Sequence, residues 1–365
     1  MLKDFLDEVK AQGRALRAAA EAYRGDGSRL LAEAARVAAG RPLLLAGMGS
    51  SWAAALAVES FLVRRGKLAV AVDASEALYR WLPVLNGPRA LAPVLISQSG
   101  ESRELVHLAS RLSCPFIAVT NAPRSTLGER AAAVLPLHAG VEKGATNKTF
   151  LNTIAVGLFL GRAILADGSE ERLSEMARLL EIAEFIEAAA AIDGLLARSD
   201  GQVRGLLAHL TGGDRTDAGD SGRLLPWQLI GRGSGMAAVE QMALILQELT
   251  GRVTVPFLGG LYRHGAVYRA GPATRSIILA SRDEEGELLG SLAKEIVGRG
   301  GRVVFIADFD PEIEDPSLLR FPLPVVARGL FPLIASVPLE LLGIADAEAR
   351  GFDGAVGVPK VTQVE

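Results

Sequence analysis

Six consecutive residues, Ser97-Gln98-Ser99-Gly100-Glu101-Ser102, gather three hydroxyls, a carboxamide and a glycine into one short stretch. The apolar run Ala92 to Ile96 (APVLI) precedes it and reads as a buried parallel strand. Leu105, Leu108, Ala109 and Leu112 follow at the spacing of one helix face. A strand-to-helix turn presents backbone N–H groups and the positive end of a helix dipole to whatever lies in the crevice. The serines and the glutamine add neutral donors, and Gly100 lets backbone approach a ligand closely. This chemistry suits a phosphate monoester and not an apolar ligand. Serines also cap helices routinely, so the turn alone leaves a simply capped helix open.

The surrounding elements narrow the choice. Pro42–Ala46, Val70–Val72, Ala92–Ile96, Phe116–Thr120 and Val134–Leu137 are apolar runs separated by helical patterns, which predicts a doubly wound sheet of five parallel strands. In such sheets ligands bind outside the carboxyl ends of the strands. Three polar turns fall at that edge: Gly49–Ser51, Ser97–Ser102 and Glu142–Lys148. Their convergence favours the phosphate.

The chain has 365 residues, too many for a single core and suited to two domains. Apolar residues make up 49% and charged residues 22%, the balance of a soluble globular protein. A net charge of −3 gives no pull toward nucleic acid or an anionic membrane. One cysteine, Cys114, and four scattered histidines offer neither an internal disulfide nor a metal-ligand cluster, so no metal or cofactor is expected. The N-terminal MLKDFLDEVKAQ is neither a signal peptide nor a membrane span, and a cytoplasmic location is expected.

Residues 1 to about 38 read as two helices, and residues 167 to about 210 as helices joining two halves. Gly212 to Arg223 reads as a surface loop. The pattern then restarts. Trp227 to Gly235 (WQLIGRGSG) echoes Leu43 to Ser51, and an apolar helix follows from Met236. Ser276–Ala280, Val303–Ala307 and Leu323–Val326 read as further strands, and Leu330–Leu342 as a helix. The chain therefore reads as two copies of one α/β domain. The copies differ where it matters: the second has Ser281-Arg282-Asp283-Glu284-Glu285-Gly286-Glu287 in place of the serine turn. Its four carboxylates repel a phosphate, so one phosphate site is expected, in the first half.

The Gly49-Ser50-Ser51 turn, DASEALYR, SQSGES, TNAP, the second-half GRG turn, QEL followed by RHG, and the final KVTQVE together resemble the tandem sugar isomerase (SIS) domain family. The likeness is to the isomerase half of glucosamine-6-phosphate synthase and covers most of the chain. It implies two tandem SIS domains, each a five-stranded parallel sheet flanked by helices. Residues 1–38 would be N-terminal helices, 39–168 the first domain with the phosphosugar site and 169–212 a helical linker. The second domain would span 213–347, followed by a tail, 348–365. The resemblance places the phosphosugar on Gly49, Ser50, Ser51, Ser97, Gln98, Ser99 and Ser102, with Ala145 and Asn147 from the third turn. It makes Glu248 the base that moves a proton between C1 and C2. His264 would open the sugar ring from a neighbouring subunit of a homodimer, and Lys360 would contact the open-chain sugar.

The chemistry is coherent on its own terms: a proton shuttle needs a carboxylate within reach, ring opening an acid–base group such as histidine, and an enediolate a nearby amine or cation. Singly, Glu248 reads as a solvated glutamate, His264 as a loop residue and Lys360 as an ordinary tail lysine. Only their order and spacing together carry the roles.

Two departures shape the expected reaction. No glutaminase and no N-terminal cysteine nucleophile precede the helices, so the chain is not expected to use glutamine by itself. The family's further lysine just ahead of the base is replaced by the apolar Leu244–Leu246. The expectation is a deaminase that converts glucosamine 6-phosphate to fructose 6-phosphate and ammonia. A fructosamine-6-phosphate deglycase, a plain aldose–ketose isomerase and a non-catalytic sugar-phosphate sensor stay open. The lack of a DNA-binding helix-turn-helix or basic patch counts against a transcriptional regulator.

Overall fold

Leu43–Gly47 (β1), Ala92–Ile96 (β3) and Ile117–Thr120 (β4) are buried at every residue. Strands covered by helices on both faces must be apolar throughout, and these are. The computed structural model describes residues 2–88, 91–166, 181–212 and 224–352. Ala69–Asp73 (β2) and Ala133–Pro136 (β5) complete a parallel sheet of order β2-β1-β3-β4-β5. Gly47 stands in register opposite Ile96, so the turns after β1 and β3 leave the sheet side by side where the strand order reverses.

Three helices, not two, precede β1: Leu2–Val9 (α1), Gln12–Arg24 (α2) and Gly27–Ala38 (α3). Ser50–Val63 (α4) follows β1. Ala74–Glu76 (α5), a π-helical turn Ala77–Trp81 and Leu82–Leu85 (α6) follow β2. Arg103–Arg111 (α7), Thr126–Arg130 (α8) and Lys148–Leu165 (α9) follow β3, β4 and β5. By length and composition α9 would cross a membrane, but 83% of it is buried inside the fold. It packs against α2, α3 and α4 and is the core helix of its sheet.

Ile182–Arg198 (α10) and Asp200–Thr211 (α11) lead into a second parallel sheet. Its strands are Trp227–Gly231 (β6), Thr254–Leu258 (β7), Arg275–Ala280 (β8), Arg302–Ala307 (β9) and Leu318–Pro322 (β10). The order β7-β6-β8-β9-β10 repeats that of the first sheet. Its helices are Gly235–Thr250 (α12), Gly259–Arg263 (α13), Glu284–Gly298 (α14), Phe331–Ala335 (α15) and Val337–Ala349 (α16).

The second sheet departs from the sequence pattern in three places. β7 carries Pro256 at its centre, a position a strand tolerates most easily at the edge of a sheet, where β7 lies. The last strand is Leu318–Pro322 rather than Leu323–Val326, because Leu318 and Phe321 turn inward while Val325 is 67% exposed. The helix expected over Leu330–Leu342 is broken at Ser336, just ahead of Pro338 in the first turn of α16.

The chain forms two units. One holds Ala11–Glu142 and Thr146–Ala189; the other holds α1, Lys143–Ala145 and, from Ala190, the rest of the described chain. They are called here the N-terminal and C-terminal units. Phe5 and Val9 of α1 are buried in the C-terminal unit, where α1 packs on α16. Residues 213–223 of the expected surface loop, residues 167–180 of the expected joining helices and the tail from residue 353 lie outside the described residues.

Candidate functional site

β3 does not simply stop at Ile96. The Ser97 N–H donates to Val119 O at 3.0 Å, extending the ladder, and buries Ser97 to 2% exposure. Its Oγ then accepts the Gly100 N–H (3.0 Å) and meets Ser102 Oγ at 2.9 Å. Ser99 Oγ accepts the Glu101 N–H at 3.2 Å. Gln98 O accepts the Asn121 N–H (3.1 Å), and Gly100 O the Leu127 N–H (3.1 Å). The Glu101 carboxylate swings away to accept the Thr126 N–H at 2.8 Å, and hydrogen bonds from Thr126 hold its carboxyl below the usual range. The turn is thus a closed loop, stitched to itself and to the start of α8.

Gly100 is what allows the closure. Its φ is +67°, and a Cβ there would stand 1.8 Å from Ser125 Oγ. Gly49, with φ +50°, performs the equivalent reversal between β1 and α4.

Neither α4 nor α7 is capped by a side chain. Ser102 holds the N-cap position of α7, yet its hydroxyl is turned to Ser97. Two adjacent helices therefore start at the switch point with a side-chain acceptor withheld, which is the arrangement that binds an anion. Ser99 is exposed, while Ser50, Ser51, Gln98 and Ser102 are half-buried.

The loop before α9 joins them by packing rather than by sheet order. A Cβ on Gly157 would touch Val58 Cγ2, and one on Gly161 would touch Phe61 and Leu62. Helices α4 and α9 therefore run in the same direction, offset by about one hundred residues. Carried two turns back, the same offset sets Lys148 level with Gly49 and Thr149 with Ser50. Glu142 closes this loop: its carboxylate accepts the Asn147 and Thr149 N–H groups, both at 3.1 Å, and the Thr149 hydroxyl. Asn147 is fully buried, with its side-chain oxygen accepting the Lys148 N–H at 2.6 Å. Ala145 is buried and groups with the C-terminal unit. Glu142 and Lys148 belong to the polar turn visible in the sequence, but the pattern there assigns them no role; their place ahead of an apolar helix is the signal that marks them.

The C-terminal unit answers the serine loop differently. Asp283 Oδ1 accepts the Gly286 N–H (2.9 Å), and Oδ2 accepts from Ser281 Oγ (3.1 Å). The chain's own carboxylate thus occupies the start of α14. Nearby, Asp308 accepts the Arg282 N–H at 2.6 Å, and burial pushes its carboxyl above the usual range.

Glu248 is exposed in the last turn of α12. Three carbonyls of that helix end are fastened. Thr250 Oγ1 donates to Leu246 O, the Gly251 N–H to Gln247 O (2.9 Å), and Arg350 to Thr250 O. Behind them Arg252, with no exposed surface, pairs with Asp346 at 2.8 Å and lies 4.3 Å from the Trp227 ring centre.

His264 is exposed and follows α13, which leaves the carboxyl end of β7. Glu248 precedes the amino end of β7 and lies about 20 Å along α12 from Gly235. α13 turns back along the sheet, where Tyr262 donates to Gln228 Oε1 (2.7 Å) and Arg263 to Glu295 (3.1 Å); it packs on α14, whereas α12 packs on α15 and α16. Lys360 lies outside the described residues. Among the described residues, no three His, Cys, Asp or Glu side chains come together as a metal-ligating set.

No protein-family model matches the chain. It is 29% identical over 301 residues to a glutamine–fructose-6-phosphate aminotransferase (isomerizing) of Bradyrhizobium diazoefficiens, covering 80% of this chain and 46% of that one. The chain spans about half the length of the curated relatives it matches. Among solved structures it superposes on the C-terminal domain of a glucosamine-fructose-6-phosphate aminotransferase from Francisella tularensis. The TM-score is 0.79 and the identity 19%, covering 96% of this chain and 97% of that one. A glucosamine-6-phosphate deaminase from Thermotoga maritima gives a TM-score of 0.67 at 18% identity, with 96% of each chain covered. The chain therefore has the fold of these sugar-phosphate proteins: two parallel five-stranded sheets, each flanked by helices.

Proposed function

We propose that the chain is a tandem SIS enzyme that deaminates an amino-sugar phosphate, taking glucosamine 6-phosphate and water to fructose 6-phosphate and ammonia. The observation that carries this reading is the closed serine loop beside two helix starts that no side chain caps. Its neutral donors and amide dipoles suit the phosphate of a sugar monoester. Glu248 removes the C2 proton from the open-chain sugar and delivers it to C1, leaving an imine at C2. Water adds to that imine and ammonia departs. His264 transfers protons between O5 and O1 to open the ring, and Lys360 places a positive charge near the developing enediol oxygen. Glu248 and the helix before His264 belong to elements packed on different neighbours, which supports their acting in different copies of a homodimer's site.

A second reading has one observation in its favour. Leu244, 37% exposed, lies one turn before Glu248 on the same helix face. An apolar surface beside the base suits a sugar carrying an alkylamine, the substrate of a fructosamine-6-phosphate deglycase.

The test is a substrate screen that reads ammonia and ketose phosphate together. Glucosamine 6-phosphate should release both in equal amounts, and Glu248→Gln should abolish release while phosphate-ester binding persists. Mixing inactive Glu248→Gln and His264→Ala proteins should restore part of the activity. Amine release from a fructosamine 6-phosphate without ammonia would shift the assignment to the deglycase. Full turnover by Glu248→Gln would remove the base.

A further inference from the structure

We propose that Lys148 supplies the positive charge of the phosphosugar site, standing as the counter-ion of the bound phosphate; the proposal rests on the phosphate reading above. Lys148 is the first residue of α9 and only 7% of it is exposed. Its ammonium donates to Val141 O at 2.6 Å, one bond from a group with three donors. Among the described residues it has no acid partner within ion-pair distance. The neighbouring Glu142 carboxylate is occupied with Asn147 and Thr149. A buried ammonium without a counter-ion is costly, and an anion brought beside it offsets that cost.

Position points to the charge in question. Helical side chains lean toward the N-terminus, so Lys148 projects past the start of α9 toward the carboxyl edge of the sheet. The packing of α9 on α4, at an offset of about one hundred residues, sets it level with Gly49, at the start of the Gly49–Ser51 turn. Every side chain so far assigned to the phosphate there is neutral, whereas a phosphate monoester is a dianion near neutral pH. A cation in a partly dry crevice offsets that charge far better than one in bulk water.

The experiment titrates the full-length protein with inorganic phosphate, glucosamine 6-phosphate and glucosamine by calorimetry, for wild type, Lys148→Gln, Lys148→Met, Lys148→Arg and Ser99→Asp. The glutamine keeps a donor for Val141 O but not the charge. Lys148→Gln and Lys148→Met should each lose tenfold or more in affinity for both phosphates, and Lys148→Arg should stay within about threefold of wild type. Melting temperatures of the neutral variants should hold or rise, since an unpaired buried charge is gone. Unchanged phosphate affinity in the neutral variants, with Ser99→Asp abolishing binding, overturns the role of Lys148 alone. A fall in melting temperature without a loss of affinity marks a loop tether and overturns it as well. Binding that survives Ser99→Asp, or wild type that binds neither phosphate, overturns the phosphate reading itself.

Discussion

Replacing Gly100 by alanine puts a methyl carbon 1.8 Å from Ser125 Oγ, 2.5 Å from Ser125 Cβ and 3.2 Å from Thr120 Oγ1. Two costs follow. The left-handed backbone at φ +67° disfavours alanine by roughly 1–2 kcal/mol. Ser125 must also move, and it caps α8 by accepting the Gly128 N–H at 3.3 Å; losing such a cap costs about 1 kcal/mol. Together they disfavour the closed loop by roughly 2–3 kcal/mol, a factor of about 30–150 in its closed-to-open ratio. If the closed loop is the shape that holds phosphate, apparent affinity falls with that population, by about ten- to a hundredfold. The assay is calorimetric titration with glucosamine 6-phosphate, paired with a urea melt. Gly40→Ala is the control. Gly40 shares the left-handed conformation at φ +71°, but a Cβ added there would meet no atom within 4 Å, so it should lose a little stability and no affinity. Affinity within twofold of wild type in Gly100→Ala would show that the closed serine loop is not the anion-holding shape.

Asp346 is shared by Arg252 and Arg350 at 2.8 and 3.0 Å, and only 2% of its side chain is exposed. Asp346→Ala leaves Arg252 buried without its carboxylate and should destabilise the C-terminal unit by about 3–5 kcal/mol in a urea melt. A loss below about 1 kcal/mol would mean that the network does not hold the end of α12 in place. Glu240 lies half-buried on α12, and burial raises its carboxyl above the usual range. A raised acid favours the folded state at low pH and loses that contribution as pH climbs through its folded value. Glu240→Gln should therefore melt higher than wild type at pH 7.5, with the gap closing below the ordinary glutamate range; an equal gap at pH 4 would assign the effect to packing.

Much of the first sheet could be read from the chain directly, because strands buried on both faces must be apolar at every position, as Leu43–Gly47 and Ala92–Ile96 are. The serine turn was visible because three hydroxyls, a carboxamide and a glycine stand together between an apolar strand and a helix face. Pattern fails where burial is one-sided. The edge strand Thr254–Leu258, with its proline, and the half-polar Leu318–Pro322 carry too little apolar alternation to announce themselves.

What the sequence determined by itself was local: which runs are strands, which turn is rich in donors, and that the pattern starts again after Trp227. Only the tertiary structure decided which polar groups are buried and which face each other. Ser102 gives up its helix cap to meet Ser97, Asp283 holds the start of α14 with its own carboxylate, and Lys148 is carried level with Gly49 by helices about one hundred residues apart. Glu248 and the helix before His264 pack on different neighbours, although only sixteen residues part Glu248 and His264 in the chain. The physical reason is range: strand and helix patterns come from each residue's own surroundings, whereas desolvation and pairing of charges depend on neighbours that packing alone brings together.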